Sequence, residues 1–320
     1  MALYLITGIS GFIGSSLAEA LIARGEQVRG IDNFSTGKRE NLAYLHGKAE
    51  LLEADVTDPK ACAEACRGVD YIFHEAAIPS VPRSVKNPVE TNHACVDGTL
   101  QLLLAGRDAK VRRVVYASSS SLYGDTPTLP KHEGMLPSPI SPYAVAKLAG
   151  EYYMNSFFRV YGLETVSLRY FNVFGPRQDP TSMYSGVMAK FIPLMLRGER
   201  PTIYGSGEQS RDFTFIQNVI EANLLVCHAP ASHIAGRSFN AATGKRSTLN
   251  EVFKVLQKLT GYPGAPEYGP ERVGDIMHSL ADISLAVKHF GYKPSVTLEQ
   301  GLERTVQWYR QSMTTATTQV

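Results

Sequence analysis

The stretch Leu3-Tyr4-Leu5-Ile6-Thr7-Gly8-Ile9-Ser10-Gly11-Phe12-Ile13-Gly14 decides how the rest of the chain is read. A short apolar, β-prone run passes without a gap into glycines spaced Gly-x-x-Gly-x-x-Gly, and Ile13, Leu17, Ala20 and Leu21 then recur at helical spacing. The order is strand, glycine turn, helix. Small residues let a backbone approach a pyrophosphate closely, and a helix start offers free N–H groups and the positive end of its dipole. The stretch therefore predicts a dinucleotide site at Gly8, Gly11, Phe12, Ile13 and Gly14. The spacing departs from Gly-x-Gly-x-x-Gly, so a plain strand-to-helix turn is the simpler alternative.

Outward from there, Gln27 to Ile31 reads as a second strand ending at Asp32, near the spacing at which a carboxylate holds an adenosine ribose and repels a 2′-phosphate. That favours NAD over NADP, although Lys38 and Arg39 follow closely and carry the charge to attract a phosphate. Leu51 to Asp55 reads as a third strand, whose terminal Asp55 either meets the adenine amino group or serves as a turn or helix-capping acid. Pro59 to Cys66 reads as a helix. Cys62 and Cys66 stand at i, i+4, but without His or further Cys at ligand spacing no metal is expected. Asp70 to His74 is a fourth strand that places Ala76, Ala77 and Ser80 on the nicotinamide side of the cleft, with His74 as a satisfied histidine at the edge of the core. Asn92 to Leu104 has helical spacing, and Arg113 to Ala117 is a fifth strand. Strands alternating with helices at short intervals predict an α/β fold with a doubly wound parallel sheet.

Behind this half-fold stand Ser118-Ser119-Ser120-Ser121-Leu122-Tyr123-Gly124 and Ser141-Pro142-Tyr143-Ala144-Val145-Ala146-Lys147. Tyr143 and Lys147 lie one helical turn apart, so the ammonium is expected to sit near the phenol and lower its pKa. A phenol so tuned acts as a general base. A serine run or a Tyr-x-x-x-Lys is common alone; their joint placement behind a dinucleotide half-fold carries the weight.

Bulk properties narrow the partners. The chain has 320 residues, 44% hydrophobic and 19% charged, with a net charge of +2 and no polybasic arm, so neither nucleic acid nor an anionic membrane surface is expected. Four cysteines, no signal-peptide pattern and no apolar run of spanning length suggest a cytoplasmic protein. In the C-terminal part, Gly205-Ser206-Gly207 reads as a turn, Val219 to Cys227 as a helix, Ser238 to Asn240 as a strand and Leu249 to Leu259 as a helix. The last helix is expected over Leu298 to Tyr309, followed by a frayed Thr-rich tail at 313–320. The domains expected are 1–172 for the dinucleotide and 173–312 for a smaller, mixed α/β substrate lobe, with later segments interleaved.

In combination these motifs resemble the extended short-chain dehydrogenase/reductases acting on nucleotide sugars, and among them the UDP-hexose 4-epimerases. The resemblance covers nearly the whole chain. It is carried by Thr7-Gly8-x-x-Gly11-x-x-Gly14, Asp32-Asn33-Phe34-Ser35-Thr36-Gly37, Asp55-Val56, His74-Glu75-Ala76-Ala77, Ser119 with Tyr123-Gly124, and Tyr143-x-x-x-Lys147. Later come Arg169 to Arg177, Ser210-Arg211-Asp212-Phe213 and Arg272-Val273-Gly274-Asp275. It implies a Rossmann-type fold, bound NAD, a homodimer, and Asn33, Ser35, Thr36, Gly37 and Val56 as further cofactor contacts.

For the substrate, the resemblance implies that Tyr143, Lys147 and Ser119 are catalytic. Asn172 and Arg211 would contact the UDP phosphates or nearby groups, and Arg272 and Asp275 the phosphate and uridine ribose; Ser80 and Ser120 are further substrate-side candidates, with Ser120 nearest the sugar. Four residues past Asp275 some members carry Tyr where this chain has Ser279, which leaves room for an N-acetyl group. The expected reaction is C4 epimerisation through a 4-keto sugar, on UDP-N-acetylhexosamines and UDP-hexoses. The 4,6-dehydratases carry an Asp-Glu pair where Ser120 and Ser121 stand here. UDP-glucuronate epimerisation or decarboxylation is the alternative, and a non-catalytic NAD-binding sensor is a rival of another class.

Overall fold

The structure is a computed structural model that describes residues 1–179, 186–271 and 276–318. The first half alternates as the spacing predicts: β1 (Leu3–Thr7), α1 (Phe12–Ala23), β2 (Gln27–Asp32), β3 (Ala49–Glu53), α2 (Pro59–Ala65) and β4 (Tyr71–His74). Three helices follow, α3 (Val81–Lys86), α4 (Pro88–Asn92) and α5 (Gly98–Asp108), then β5 (Arg113–Ser119), α6 (Pro142–Tyr161) and β6 (Glu164–Tyr170). Beyond these lie β7 (Val173–Phe174), α7 (Val187–Leu196), β8 (Thr202–Tyr204), β9 (Ser210–Arg211), β10 (Thr214–Phe215), α8 (Ile216–His228) and α9 (Ala231–Ile234). The chain closes with β11 (Arg237–Ala241), β12 (Ser247–Thr248), α10 (Leu249–Thr260), β13 (Glu267–Gly269), α11 (Ser284–Phe290) and α12 (Leu298–Thr318).

Seven parallel strands form the central sheet in the order β11-β6-β5-β4-β1-β2-β3. Helices cover both faces, which is why the inner strands β1 and β4 are near-continuous apolar runs rather than alternating. Tyr4 and Ile6 point into one core with Leu17 and Leu21 of α1 and Val219 of α8. Leu5 points into the other, with Leu102 and Leu103 of α5 and Met154 and Phe157 of α6. A further core joins Phe191 and Ile192 of α7, Phe253 and Leu256 of α10 and Leu302 and Val306 of α12, and builds the smaller lobe. The second half of the chain also returns to the sheet. Ser238 pairs with Ser167 and Phe239 with Leu168, and α8 packs over β5 and β6.

The C-terminus differs from expectation. Instead of ending at Tyr309 before a frayed tail, α12 continues to Thr318. The hydroxyl-bearing residues that suggested fraying return their bonds to the helix: Ser312 Oγ donates to the Trp308 carbonyl and Thr314 Oγ1 to that of Arg310, both 2.9 Å. Arg310 also donates to the Leu259 carbonyl of α10 at 2.8 Å, tying the helix down.

Candidate active site

A cavity of about 730 Å³ opens over the C-terminal ends of the central strands, where open parallel sheets bind ligands. Its glycine wall is tightly built. Gly8 has φ +69°, and a Cβ there would lie 2.9 Å from the Ala76 backbone; one on Gly14 would lie 2.2 Å from the Gly8 carbonyl oxygen. Gly11 caps α1 without a side-chain bond, so the helix presents open N–H groups to the cleft. These features fit a dinucleotide pyrophosphate. Gly8, Gly11, Phe12, Ile13, Gly14, Asp32, Asn33, Ser35, Thr36, Gly37, Asp55, Val56, Ala76, Ala77, Tyr143 and Lys147 all line this one cavity.

The adenosine end is assembled by carboxylates. Asp32 accepts from Ser10 N and Phe34 N, both at 2.8 Å, which clamps the Asn33–Gly37 loop against the glycine turn. Asp55 holds the turn and still lines the cavity: it accepts from Thr57 N at 2.8 Å and from Asn33 Nδ2 at 2.6 Å. Burial pushes its carboxyl up, but the bonds from Thr57 and Asn33 outweigh it and hold the group below the usual carboxylate range. Lys38 is paired with Asp179 at 2.8 Å and Arg39 with Glu53 at 2.5 Å, so both cations beside the ribose end are already committed. His74 is a core histidine, bonded to Thr7 Oγ1 at 2.7 Å and Thr99 Oγ1 at 2.9 Å and pushed down to about 3 by burial.

At the other end Ser118, Ser119, Tyr143 and Lys147 converge. Ser119 ends β5 and takes bonds from Ser121 Oγ at 2.9 Å and Ser121 N at 3.2 Å. Ser141 caps α6 by accepting from Ala144 N, which starts the helix at Pro142 and fixes Tyr143 in its first turn. The expected depression of the Tyr143 phenol is not found. Burial pushes it well above its ordinary value, and the hydrogen bond with Ser119 only partly opposes this. Lys147 explains why: its Nζ donates to the Ala117 carbonyl at 2.7 Å and lies 6.0 Å from the Tyr143 ring centre. The ammonium is itself lowered by burial.

A second cavity of about 370 Å³ adjoins the first, and Asn172 and Val173 line both. Its wall combines Phe191, Phe213, Tyr204 and Leu249 with Lys190 and Arg211, apolar surface beside cationic groups. Asn172 has φ +36°, a conformation that asparagine tolerates better than most residues, and it donates to the Asp212 carbonyl at 3.1 Å. Arg211 Nη1 donates to the Ser210 and Met277 carbonyls. Ser279 is bonded through its N–H to Ser210 at 2.9 Å, one residue from Arg211, but lines neither cavity. Ser80 lines the larger cavity while capping α3, and Ser120 lines neither. Arg272 and Asp275 lie outside the described residues.

Sequence reading missed several lining residues. Arg177 follows the Phe-Gly-Pro turn in a left-handed conformation, φ +70°, bonds Glu19 of α1 and stacks on Tyr44. Lys190 on α7 had only a generic helical pattern around it. Glu75 carried a usable signal: an ionisable residue directly after a fully buried strand, at the ligand-binding end of the sheet.

Comparison with known proteins agrees with this geometry. The NAD dependent epimerase/dehydratase family matches residues 4–242. A UDP-glucose 4-epimerase of Mycolicibacterium smegmatis is 38% identical over 96% of this chain and 98% of its own length. The crystal structure of Thermotoga maritima UDP-glucose 4-epimerase with UDP-glucose superposes with a TM-score of 0.92 at 38% identity, covering 97% of this chain and 99% of that one. The UDP-N-acetylglucosamine 4-epimerase of Methanobrevibacter ruminantium, in complex with UDP-N-acetylmuramic acid, gives 0.92 at 40% identity over 98% and 99%. Matched along most of its length, this chain belongs to the NAD dependent epimerase/dehydratase family.

Proposed function

We propose that this protein interconverts UDP-sugars epimeric at C4 in an NAD-dependent reaction. The observation that carries the reading is the convergence of Ser119, Tyr143 and Lys147 in a dinucleotide cleft that adjoins a second cavity lined by Arg211 and Lys190. A sugar C4 has no acidic hydrogen, so its inversion calls for a temporary ketone. The glycine turn, Asp32 and Lys147 would hold NAD, which when bound would supply the hydride acceptor and donor. Tyr143 takes the proton of the 4-hydroxyl and later returns it, while Ser119 orients that hydroxyl. Lys147, its Nζ held by the Ala117 carbonyl, is placed to contact the nicotinamide ribose rather than to lower the phenol.

Within the second cavity, the aromatic and aliphatic wall suits a uracil, and Arg211 and Lys190 suit a pyrophosphate. UDP anchoring would leave the sugar free to turn and present its opposite face. The likeness to a UDP-N-acetylglucosamine 4-epimerase supports acceptance of N-acetylhexosamines alongside hexoses; Ser279 lies outside both cavities and does not carry this reading. Arg83, which lines the cleft beside Ser80, is bonded to Glu90 at 2.6 Å, which argues against uronates. Incubation with UDP-glucose, UDP-galactose and their N-acetylamino counterparts, followed by product separation, tests the reading. Absence of any C4 epimer refutes it.

Residues 1–172 with the returning strand β11 form the cofactor lobe in this reading, and most of 173–312 the substrate lobe. A homodimer is supported by the exposed apolar residues Val145 and Tyr152 on the outward face of α6, with Val85 and Val89 exposed on the adjoining α3 and α4. Sedimentation of the full chain checks it: a single species of monomer mass excludes the dimer. No helix among the described residues is long and apolar enough to cross a membrane, in keeping with a cytoplasmic place of action.

A further inference from the structure

Glu75 follows β4, between the strand that carries the glycine turn, β1, and the strand that carries Ser119, β5. With the ribose-binding acid on β2 and the pyrophosphate turn after β1, this order places Glu75 toward the nicotinamide half of the cleft. Its side chain confirms the direction. Tyr170 OH, at the end of β6, donates to Glu75 Oε1 at 2.8 Å, and Asn223 Nδ2 of α8 donates to the same Tyr170 oxygen at 2.8 Å. The carboxyl thus reaches across the end of β5 to the face opposite α6, the helix that supplies Tyr143 and Lys147. The proton-handling chemistry assigned to Tyr143 and Ser119 does not use it.

We propose that Glu75 sets the redox poise of the bound nicotinamide: its carboxylate, positioned by Tyr170, favours the oxidised, positively charged ring over the reduced, neutral one. The inference rests on NAD occupying this cleft. An enzyme that must return its hydride in every turnover gains from an acceptor that does not hold it too tightly, and a fixed negative charge in a low-dielectric cleft does this. The charged and titratable groups that act on Glu75 are Tyr170 of β6, which is bonded to it, and Tyr143 and Lys147 of α6, which act through charge alone. Burial pushes the Glu75 carboxyl up to about 7, against the opposing pull of the Tyr170 bond and the Lys147 charge. Its charge therefore changes across neutrality, and the poise changes with it.

The test is the ratio of NAD to NADH affinity, read from NADH fluorescence and its displacement by NAD, at about pH 6 and about pH 8.5. In the wild-type chain the preference for NAD should rise roughly tenfold toward the higher pH. Glu75→Gln should stay at the low-pH ratio throughout. Tyr170→Phe removes a donor that favours the carboxylate, so its rise should move to higher pH; this variant also serves if Glu75→Gln does not fold. A wild-type ratio in Glu75→Gln at the higher pH, or an unmoved rise in Tyr170→Phe, overturns the inference. A chain that binds neither nucleotide overturns the cofactor reading itself, and one that binds both with an unchanged ratio overturns only the role of Glu75.

Discussion

Glu151 and Arg169 close a buried bidentate ion pair, with Arg169 Nε 2.9 Å from Glu151 Oε1 and Nη2 2.7 Å from Oε2. The pair brackets the segment that carries Ser119. Ser118 Oγ donates to Glu151 at 2.5 Å and Arg169 Nη1 donates to Tyr123 OH at 2.8 Å, so the residues on both sides of Ser119 are tied to it. Glu151 follows Tyr143 and Lys147 along one face of α6, and one helix thereby orients the phenol, the ammonium and the serine strand together. Glu151→Gln should destabilise the fold by about 3–5 kcal/mol by leaving the buried guanidinium uncompensated. Urea unfolding measures it; a loss well under 1 kcal/mol would contradict the clamp.

Tyr143→Phe removes the phenol oxygen, the proposed proton carrier, while keeping the ring. Turnover should fall on the order of a hundredfold or more. UDP and NAD binding, followed by calorimetry, should stay close to wild type. Near-normal turnover in this variant would remove Tyr143 from the chemistry.

Gly14→Ala places a methyl group 2.2 Å from the Gly8 carbonyl oxygen. Backbone lines that contact, so neither side yields without shifting the turn or α1. A stability loss of about 1–3 kcal/mol is expected, with NAD affinity falling further than UDP affinity. Equal losses for both ligands would mean that the glycine serves packing alone.

Arg211→Gln tests the second cavity. If the guanidinium meets a pyrophosphate, the loss of a charge-assisted bond costs about 1.5–3 kcal/mol, a drop in UDP affinity of roughly tenfold to a hundredfold. Titration with UDP alone reads it directly. NAD affinity should not change, because Arg211 lines only the smaller cavity.

His74 gives stability a specific slope on the acid side. Burial lowers its pKa from 6.5 to about 3, so between these values the unfolded chain takes up a proton that the folded chain refuses. Its contribution is complete above pH 6.5 and is lost as the pH falls toward 3, at up to about 1.4 kcal/mol per pH unit. Thermal unfolding of His74→Asn should show a shallower fall over that range; an identical slope would show that other groups set it.

Local spacing in the chain was enough to determine the strand, glycine turn and helix at Leu3–Ala23, the alternation that follows, and the Tyr143–Lys147 pairing on α6. Each depends on contacts only a few residues apart, where period and residue type act directly. Hydrogen-bond direction and burial were decided by the tertiary structure. Lys147 turns to the Ala117 carbonyl, a partner on a neighbouring strand, and the phenol beside it is raised by surroundings drawn from several elements. The C-terminal helix runs on because α10 offers carbonyls to Arg310. Glu75 looked like one acid in a turn until folding carried Tyr170 to it from a strand 95 residues away. Desolvation is a property of the assembled cleft, and no sequence window contains it.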